Sequence, residues 1–190
     1  MRRVIWLVDM SLDGFMSGPN GELDWAAPQM DDEMWGELNQ LLGRVDGVLF
    51  GRVTYQDFER HWPAVPGDPA RPKYEIDFSR WIEEAPKIVA STTLHRLERR
   101  NSTLLTGDVA ESVSQMKKAS GKDLLMFGSC GFAACLLKAD LIDELQIRIH
   151  PVILGVGRVL FKEGNTRCKL KIERARVLKS GMVEIRYNLS

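Results

Sequence analysis

The residues best placed to do chemistry are two glycines in the stretch DLLMFGSCGFAACLL, residues 123–137. Gly128 and Gly131 lie three residues apart, where an apolar strand pattern is followed by a helical one. Backbone N–H groups at such a junction can approach a phosphate closely, at the positive end of the helix dipole. The alternative is a plain turn, because GSCG is shorter than the dinucleotide-binding fingerprint GxGxxG. The stretch therefore predicts either a phosphate-binding turn or a simple chain reversal.

Two further strand-to-helix junctions have the same character. Gly51, Arg52 and Thr54 follow the buried strand GVLF, and Ser91 and Thr92 follow KIVA. If these strands are parallel, the three junctions lie at the carboxyl edge of one sheet and their loops are neighbours. Helix N-terminal amides, hydroxyls and an arginine together suit a ligand with several phosphates. Each junction also has a structural explanation, with the hydroxyls as caps and the arginine as a solvated charge.

Strands and helices alternate along most of the chain and would position these junctions. Buried strands are expected at residues 4–8, 47–50, 87–91, 103–105 and 124–127, and helices at 30–42, 53–60, 78–84, after Asp108, and at 131–138. Three consecutive alternating runs follow. Residues 11–25 are expected to form a loop or a short hairpin about residues 19–21, and the proline-rich residues 61–76 a surface loop. The pattern predicts one α/β domain over residues 1–190, with a mostly parallel sheet and an antiparallel C-terminal edge.

Composition narrows the classes of partner. The chain has 190 residues with 26 basic and 26 acidic side chains, and this balance disfavours nucleic acid or an anionic membrane as a partner. No apolar stretch is long enough for a membrane span, and the N-terminus is expected to be a first strand, which predicts a cytoplasmic protein. Cys130, Cys135 and Cys168 are expected to be small buried residues, and no histidine spacing predicts a metal site.

Five motifs resemble the dihydrofolate reductase-like superfamily. They are SLDGFMSGPNGELDW (11–25), LFGRVTYQDF (49–58), KIVAST (87–92), MFGSCGFAACLL (126–137) and ADLIDELQIRIHPVILGVGRVLF (139–161). They are most similar to the bacterial branch related to the reductase domain of the bifunctional riboflavin-biosynthesis deaminase–reductase. The resemblance implies a central mixed sheet of about eight strands with helices on both faces. It also implies NADPH as cofactor and hydride transfer to a C=N or C=O bond of a pterin, pyrimidine or related ring.

The resemblance assigns the three junctions to the cofactor. Gly51, Arg52 and Thr54 would contact the pyrophosphate and the 2′-phosphate side. Ser91 and Thr92 would contact the adenosine 2′-phosphate, and residues 128–132 would lie under the pyrophosphate and the nicotinamide ribose. The family usually has two glycines joined by a cis peptide here, and Ser129 replaces the second. The complete implied cofactor set is Trp25, Gly51, Arg52, Thr54, Ser91, Thr92, Gly128, Ser129, Cys130, Gly131 and Phe132.

The resemblance also singles out a candidate acid. Residues 11–25 would form the loop that closes over nicotinamide and substrate, with Trp25 near the reacting ring. Folate reductases of the family have a carboxylate five or six residues beyond that tryptophan, where this chain has Met30 and Asp31. Asp31 is therefore the candidate catalytic residue, as a half-buried proton donor. The alternative is that Asp31 only caps the helix, and Asp13 is similarly expected to be a turn residue.

Three functions remain open at this point. The first is an NADPH-dependent reductase of a small heterocyclic substrate, the second a true dihydrofolate reductase, and the third an NADP-binding dimeric protein without turnover. Arg52, Ser91 and Thr92 favour NADPH over NADH, because they offer a cation and two hydroxyls to a 2′-phosphate. Relatives in this branch are commonly dimers, and the long C-terminal strands would leave an exposed edge, so a homodimer is expected.

Overall fold

The structure is a computed structural model that describes residues 1–26, 30–99, 101–161 and 167–189. Its strands are β1 (Val4–Ser11), β2 (Phe15–Ser17), β3 (Val45–Gly51), β4 (Lys87–Ala90), β5 (Ser102–Leu105), β6 (Asp123–Phe127), β7 (Glu144–His150), β8 (Arg158–Val159), β9 (Leu170–Val177) and β10 (Val183–Leu189). Its helices are α1 (Asp32–Leu42), α2 (Arg52–His61), α3 (Lys73–Glu84), α4 (Val109–Lys118) and α5 (Cys130–Lys138), with a 3-10 helix at Trp62–Gly67.

Eight of these strands form one sheet in the order β5-β4-β3-β6-β1-β7-β10-β9. The ladders from β5 across to β7 are parallel, whereas β10 pairs antiparallel with both β7 and β9. This confirms the predicted fold class, a mostly parallel sheet with an antiparallel C-terminal edge. The carboxyl ends of β3, β4, β6, β1 and β7 therefore meet along one edge of the sheet.

Both faces of the sheet are covered by helices. Ile5 and Leu7 of β1 belong to an apolar cluster with α1 and α3, and the alternate residues Val4 and Trp6 belong to a second cluster with α4 and α5. Alternation of side chains along a strand sends successive residues to opposite faces, so a strand buried on both sides is apolar throughout. The sheet is thus a rigid central layer that fixes where each loop at its edge begins.

A second, two-stranded sheet corrects the expectation for residues 11–25. Residues 18–21 do form a turn, but β2 pairs with β8 rather than with a neighbouring strand in a local hairpin. Gly157 explains why the distant partner can approach, because a Cβ there would lie 2.3 Å from the Ser17 carbonyl oxygen. The loop after β1 is therefore held by the loop after β7.

Two smaller expectations were wrong. Residues 61–76 are not only loop, because proline is tolerated at the start of a helix: Pro63 lies in the first turn of the 3-10 helix, and Pro72 is the N-cap of α3. Cys135 and Cys168 are exposed rather than buried.

Within the described ranges, no helix is long and apolar enough to cross a membrane.

Candidate functional site

The turn between β6 and α5 has an unusual backbone. Gly128 and Ser129 both adopt left-handed conformations, with φ of 48° and 59°, and there is no cis peptide bond in the part of the chain that the structure describes. The Trp6 indole N–H donates to the Gly128 carbonyl oxygen at 2.6 Å, and the Gly128 N–H donates to the Leu7 carbonyl oxygen at 3.0 Å. Left-handed backbone is costly for serine, so surrounding contacts must hold this turn in place.

The Ser129 side chain provides one of those contacts and joins two junctions. Its Oγ accepts a hydrogen bond from the Gly51 N–H at 2.9 Å and donates to Thr54 Oγ1 at 3.0 Å. The residue is buried. A serine at the position where glycine was expected therefore links the start of α5 to the start of α2. Sequence reasoning gave Thr54 a cap or phosphate role, but its hydroxyl contacts Ser129.

The N-termini of α2 and α5 lie at this linked turn and have no side-chain caps. The first N–H groups of a helix have no acceptor within the helix, so they are available to a ligand. Gly131, in the first turn of α5, is exposed, and a Cβ there would meet no atom within 4 Å. Phe132 is buried in the core, so only its backbone can contribute to a site. Cys130 places its sulfur near the Val159 carbonyl oxygen at 3.9 Å.

The third junction, after β4, is formed by Ser91 and Thr92. Ser91 Oγ accepts hydrogen bonds from the Thr93 and Leu94 N–H groups at 3.1 and 2.9 Å, which is a local turn, and Thr92 is exposed. Arg52 is also exposed, and its guanidinium donates to Gln56 on its own helix. We call the three junctions, residues 51–54, 91–92 and 128–132, the junction side of the sheet edge.

Asp31 has the structural role that was held open for it. It is the N-cap of α1, and its Oδ1 accepts a hydrogen bond from the Met34 N–H at 2.9 Å. This is the standard use of aspartate at a helix start. The predicted role of Asp31 as a proton donor stays a prediction, and its carboxylate already has a partner.

The other half of the edge carries a buried polar cluster that sequence reasoning missed. His150, at the end of β7, is fully buried, and its Nε2 lies 2.8 Å from Asp9 Oδ1 on β1. Arg148 is buried beside them and is the register partner of Asp9. The Trp25 ring contacts the His150 ring edge-to-face at 5.1 Å. We call this half, residues 9–13 with 148–155, the carboxylate side.

Asp13 connects the two loops of the carboxylate side. Its carboxylate accepts hydrogen bonds from the Ser11 hydroxyl at 2.7 Å and from the Leu154 and Gly155 N–H groups at 3.1 and 2.7 Å. The hydrogen bond from Ser11, followed by those from the two backbone N–H groups, lowers the pKa of Asp13 below its ordinary value of 3.8. Asp13 is thus more than a turn residue, because it holds loops 142 residues apart.

A signal for the cluster was present in the sequence. It is Asp9, an aspartate that interrupts the otherwise apolar β1. The strand ELQIRIH concealed the other half of the cluster, because its alternation is typical of a strand with one exposed face, whereas both of its faces are buried here. Among the described residues, no group of three or more His, Cys, Asp or Glu side chains is placed to hold a metal ion.

The chain matches the RibD C-terminal domain over residues 2–183. It belongs to the RibD C-terminal domain family. It is 30% identical over 187 residues to the uncharacterized protein YyaP of Bacillus subtilis (strain 168), covering 98% of this chain and 95% of that protein. It is 24% identical over 176 residues to the uncharacterized protein YwjB of the same organism, covering 90% of each.

Solved structures share the fold of this RibD-type chain. A putative riboflavin biosynthesis protein from Shewanella sp. PV-4 has a TM-score of 0.75 at 23% identity, with 99% of each chain covered. A pyrimidine reductase-like protein from Corynebacterium diphtheriae has a TM-score of 0.67 at 14% identity, covering 100% of this chain and 92% of that one. A diaminohydroxyphosphoribosylaminopyrimidine deaminase/5-amino-6-(5-phosphoribosylamino)uracil reductase from Thermotoga maritima has a TM-score of 0.68 at 14% identity, and this chain covers 57% of its length.

Proposed function

We propose that this protein is an NADPH-dependent reductase that transfers hydride to a C=N or C=O group of a small heterocycle, a pterin, a pyrimidine or a related ring. Membership of the RibD C-terminal domain family suggests an oxidoreductase. The names of two structural neighbours, a pyrimidine reductase-like protein and a uracil reductase, suggest the class of ring. The observation that carries the proposal is the pair of uncapped helix N-termini joined through Ser129.

The junction side fits a dinucleotide. Two helices begin at one edge with their first N–H groups unused by any side-chain cap, which suits the two charges of a pyrophosphate. The space over Gly131 leaves room for phosphate oxygens to approach the backbone. A ligand that spans both helix starts would gain hydrogen bonds from each, and Ser129 fixes their relative position.

Arg52, Ser91 and Thr92 support the choice of NADPH over NADH. Arg52 is exposed, and its described hydrogen bond is to a side chain of its own helix, so it can turn to a 2′-phosphate at small cost. Ser91 uses its oxygen as an acceptor within its turn, which leaves its hydroxyl hydrogen for a ligand. When bound, the cofactor would supply the hydride, and the residues of the junction side would hold its phosphates.

Asp31 bears on the competing functions. A folate reductase of this fold would need that carboxylate to face the pterin, and its role as the N-cap of α1 favours a substrate other than folate.

The test is the loss of NADPH absorbance with dihydrofolate, dihydrobiopterin and 5-amino-6-(5-phosphoribosylamino)uracil, alongside calorimetric titration with NADPH. Turnover of the pyrimidine or the biopterin supports the proposal, and turnover of dihydrofolate alone identifies a folate reductase. Binding of NADPH without turnover supports the non-enzymatic dinucleotide-binding alternative.

We also propose that the protein is a homodimer. The sheet ends at β9, where Leu170, Ile172 and Val177 are 40%, 58% and 70% exposed. An exposed edge strand of eight residues that carries these apolar side chains is a site for pairing with another chain. Light scattering at micromolar concentration should give twice the mass of the chain, and Ile172→Lys should shift it toward the monomer. A monomeric mass for the unaltered protein would refute the proposal.

A further inference from the structure

The sheet edge has a notch next to the turn between β6 and α5. The ladder between β1 and β6 ends at Leu7 and Phe127, because β6 turns away at Gly128. Strand β1 continues to Ser11, and beyond Leu7 its ladder is with β7 on the opposite side. A crevice beyond the end of one strand and beside its longer neighbour is where open α/β sheets bind ligands. The notch therefore lies between the junction side and the carboxylate side.

Asp9 lies on the part of β1 that borders the notch. Its side chain is 25% exposed, whereas the side chain of its partner His150 is 0% exposed and Arg148 is 4% exposed. Of these three groups, the aspartate is therefore the one that a ligand can reach. His150 contacts its carboxylate through Nε2, and Arg148 is its register partner on β7.

Asp9 is an anion at neutral pH. Burial raises its pKa, but the hydrogen bond with His150 and the charges of Arg148 and His150 outweigh burial and lower the pKa below 3.8. A carboxylate in this state only accepts hydrogen bonds, so the His150 Nε2 must carry the hydrogen of the pair. The carboxylate offers its remaining acceptor capacity to a donor from outside.

Two atoms of the cluster lack partners among the described residues. These are His150 Nδ1 and Arg148 Nε, both buried. Buried polar groups without hydrogen bonds are costly, so each one calls for an explanation, and binding of a ligand or water is one such explanation. A purely structural role, in which Asp9 only neutralises Arg148, would favour burial of the aspartate with the other two. The 25% exposure of its side chain, on the part of β1 that borders the notch, is better explained by a ligand.

We propose that Asp9 binds the N–H edge of the substrate ring and that His150 positions it. The substrate would then be a heterocycle with an amino group next to a ring N–H, or next to a ring nitrogen that is protonated on binding, as in an aminopyrimidine. A ring without N–H donors, or with an anionic edge, would be rejected. The inference rests on the proposed function for the identity of the reaction, but the recognition of the ring is tested separately.

The test uses binding of 2,4-diaminopyrimidine, measured by calorimetry in the presence and absence of NADPH. The unaltered protein should bind it, 2,4-dimethoxypyrimidine should bind at least about tenfold more weakly, and Asp9→Asn should weaken 2,4-diaminopyrimidine at least about tenfold. Asp77→Asn, which removes an exposed carboxylate on α3, is the matched control and should change nothing. Equal binding to the Asp9→Asn variant, or no binding to the unaltered protein, overturns the inference.

NADPH affinity separates this inference from the proposed function. Asp9→Asn should leave the dissociation constant for NADPH within about twofold, because Asp9 lies outside the junction side. If the unaltered protein binds no NADPH, the proposed function fails. The inference is still tested in that case, because the affinity for 2,4-diaminopyrimidine without NADPH can be compared between the unaltered protein and the Asp9→Asn variant. If NADPH binds and the Asp9→Asn variant recognises the pyrimidine normally, the inference alone fails.

The positioning role of His150 requires its own variants. His150→Gln keeps an N–H donor for Asp9 and should retain most of the affinity for 2,4-diaminopyrimidine, whereas His150→Phe fills the space without a donor and should lose it. A thermal melt of each variant controls for folding. A role limited to filling the core predicts that the two variants bind equally, and that outcome would contradict the assignment.

Discussion

The two halves of the sheet edge are built in different ways. On the junction side, the groups that would face the proposed cofactor are backbone N–H groups at helix starts, and each lies a few residues after its strand. On the carboxylate side, the groups are side chains brought together from distant segments: Asp9 meets His150 across 141 residues. A local motif can encode the first kind of site, whereas only the folded sheet creates the second.

The largest expected effect is on the junction side, at Gly131. Gly131→Val would place a branched side chain over the first turn of α5, where we propose that the pyrophosphate lies. Loss of two charge-assisted hydrogen bonds should weaken NADPH by more than about a hundredfold. The unfolding free energy should change by less than about 1 kcal/mol, because the position is exposed and helical and a Cβ meets no atom within 4 Å. Calorimetry with NADPH and urea unfolding measure the two effects.

A matched control for that variant is available on α1. Gly36 is also an exposed helical glycine where a Cβ would meet no atom within 4 Å, and Gly36→Val should leave NADPH affinity unchanged. The chain-reversal explanation is tested at the same time. That explanation predicts a loss of stability for Gly131→Val with normal affinity in the folded fraction, and this result would mean that the cofactor site has been misplaced.

The next effect in size is expected at Arg52. Arg52→Ala should weaken NADPH by about 1.5–3 kcal/mol, the range for a hydrogen bond to a charged group, and should affect NADH less. Arg60→Ala, at the other end of α2, removes an exposed arginine paired with Asp57 and serves as the control. Equal weakening of both dinucleotides would show that Arg52 does not recognise the 2′-phosphate.

The comparison explains which features could be predicted from the sequence. The mostly parallel sheet with its antiparallel C-terminal edge, and the positions of the three junctions, follow from local periodicity and from glycine placement. The structure confirms the predicted fold class. The pairing of β2 with β8 could not be predicted, because its partners are separated by most of the chain. Asp9 and His150 were missed for the same reason, and because alternation in ELQIRIH resembles a half-exposed strand.

Ser129 tests whether side-chain hydrogen bonds hold the junction side together. Ser129→Ala leaves the Gly51 N–H without its acceptor and should destabilise the protein by about 1–3 kcal/mol. Ser129→Gly removes the same hydroxyl, but glycine adopts the left-handed backbone at φ 59° more readily, so it should recover about 1 kcal/mol of that loss. Urea unfolding of the two variants measures the difference. Equal losses would show that the left-handed conformation costs nothing here.

The smallest effect is expected on the carboxylate side, at Asp13. The lowered pKa of its carboxyl means that its hydrogen bonds stabilise the fold above the ordinary value of 3.8 and lose that contribution as pH falls through the lower folded value. Asp13→Asn should therefore lower the melting temperature slightly at neutral pH, because an amide oxygen replaces only part of the hydrogen bonding. The difference from the unaltered protein should shrink as the medium is acidified below the ordinary pKa. Melting curves over a pH series measure it. If the difference in melting temperature persists or grows in acid, the two loops are held together by contacts other than the ionised Asp13. The carboxylate side would then depend less on hydrogen bonds to a charged side chain from a distant segment than the comparison implies.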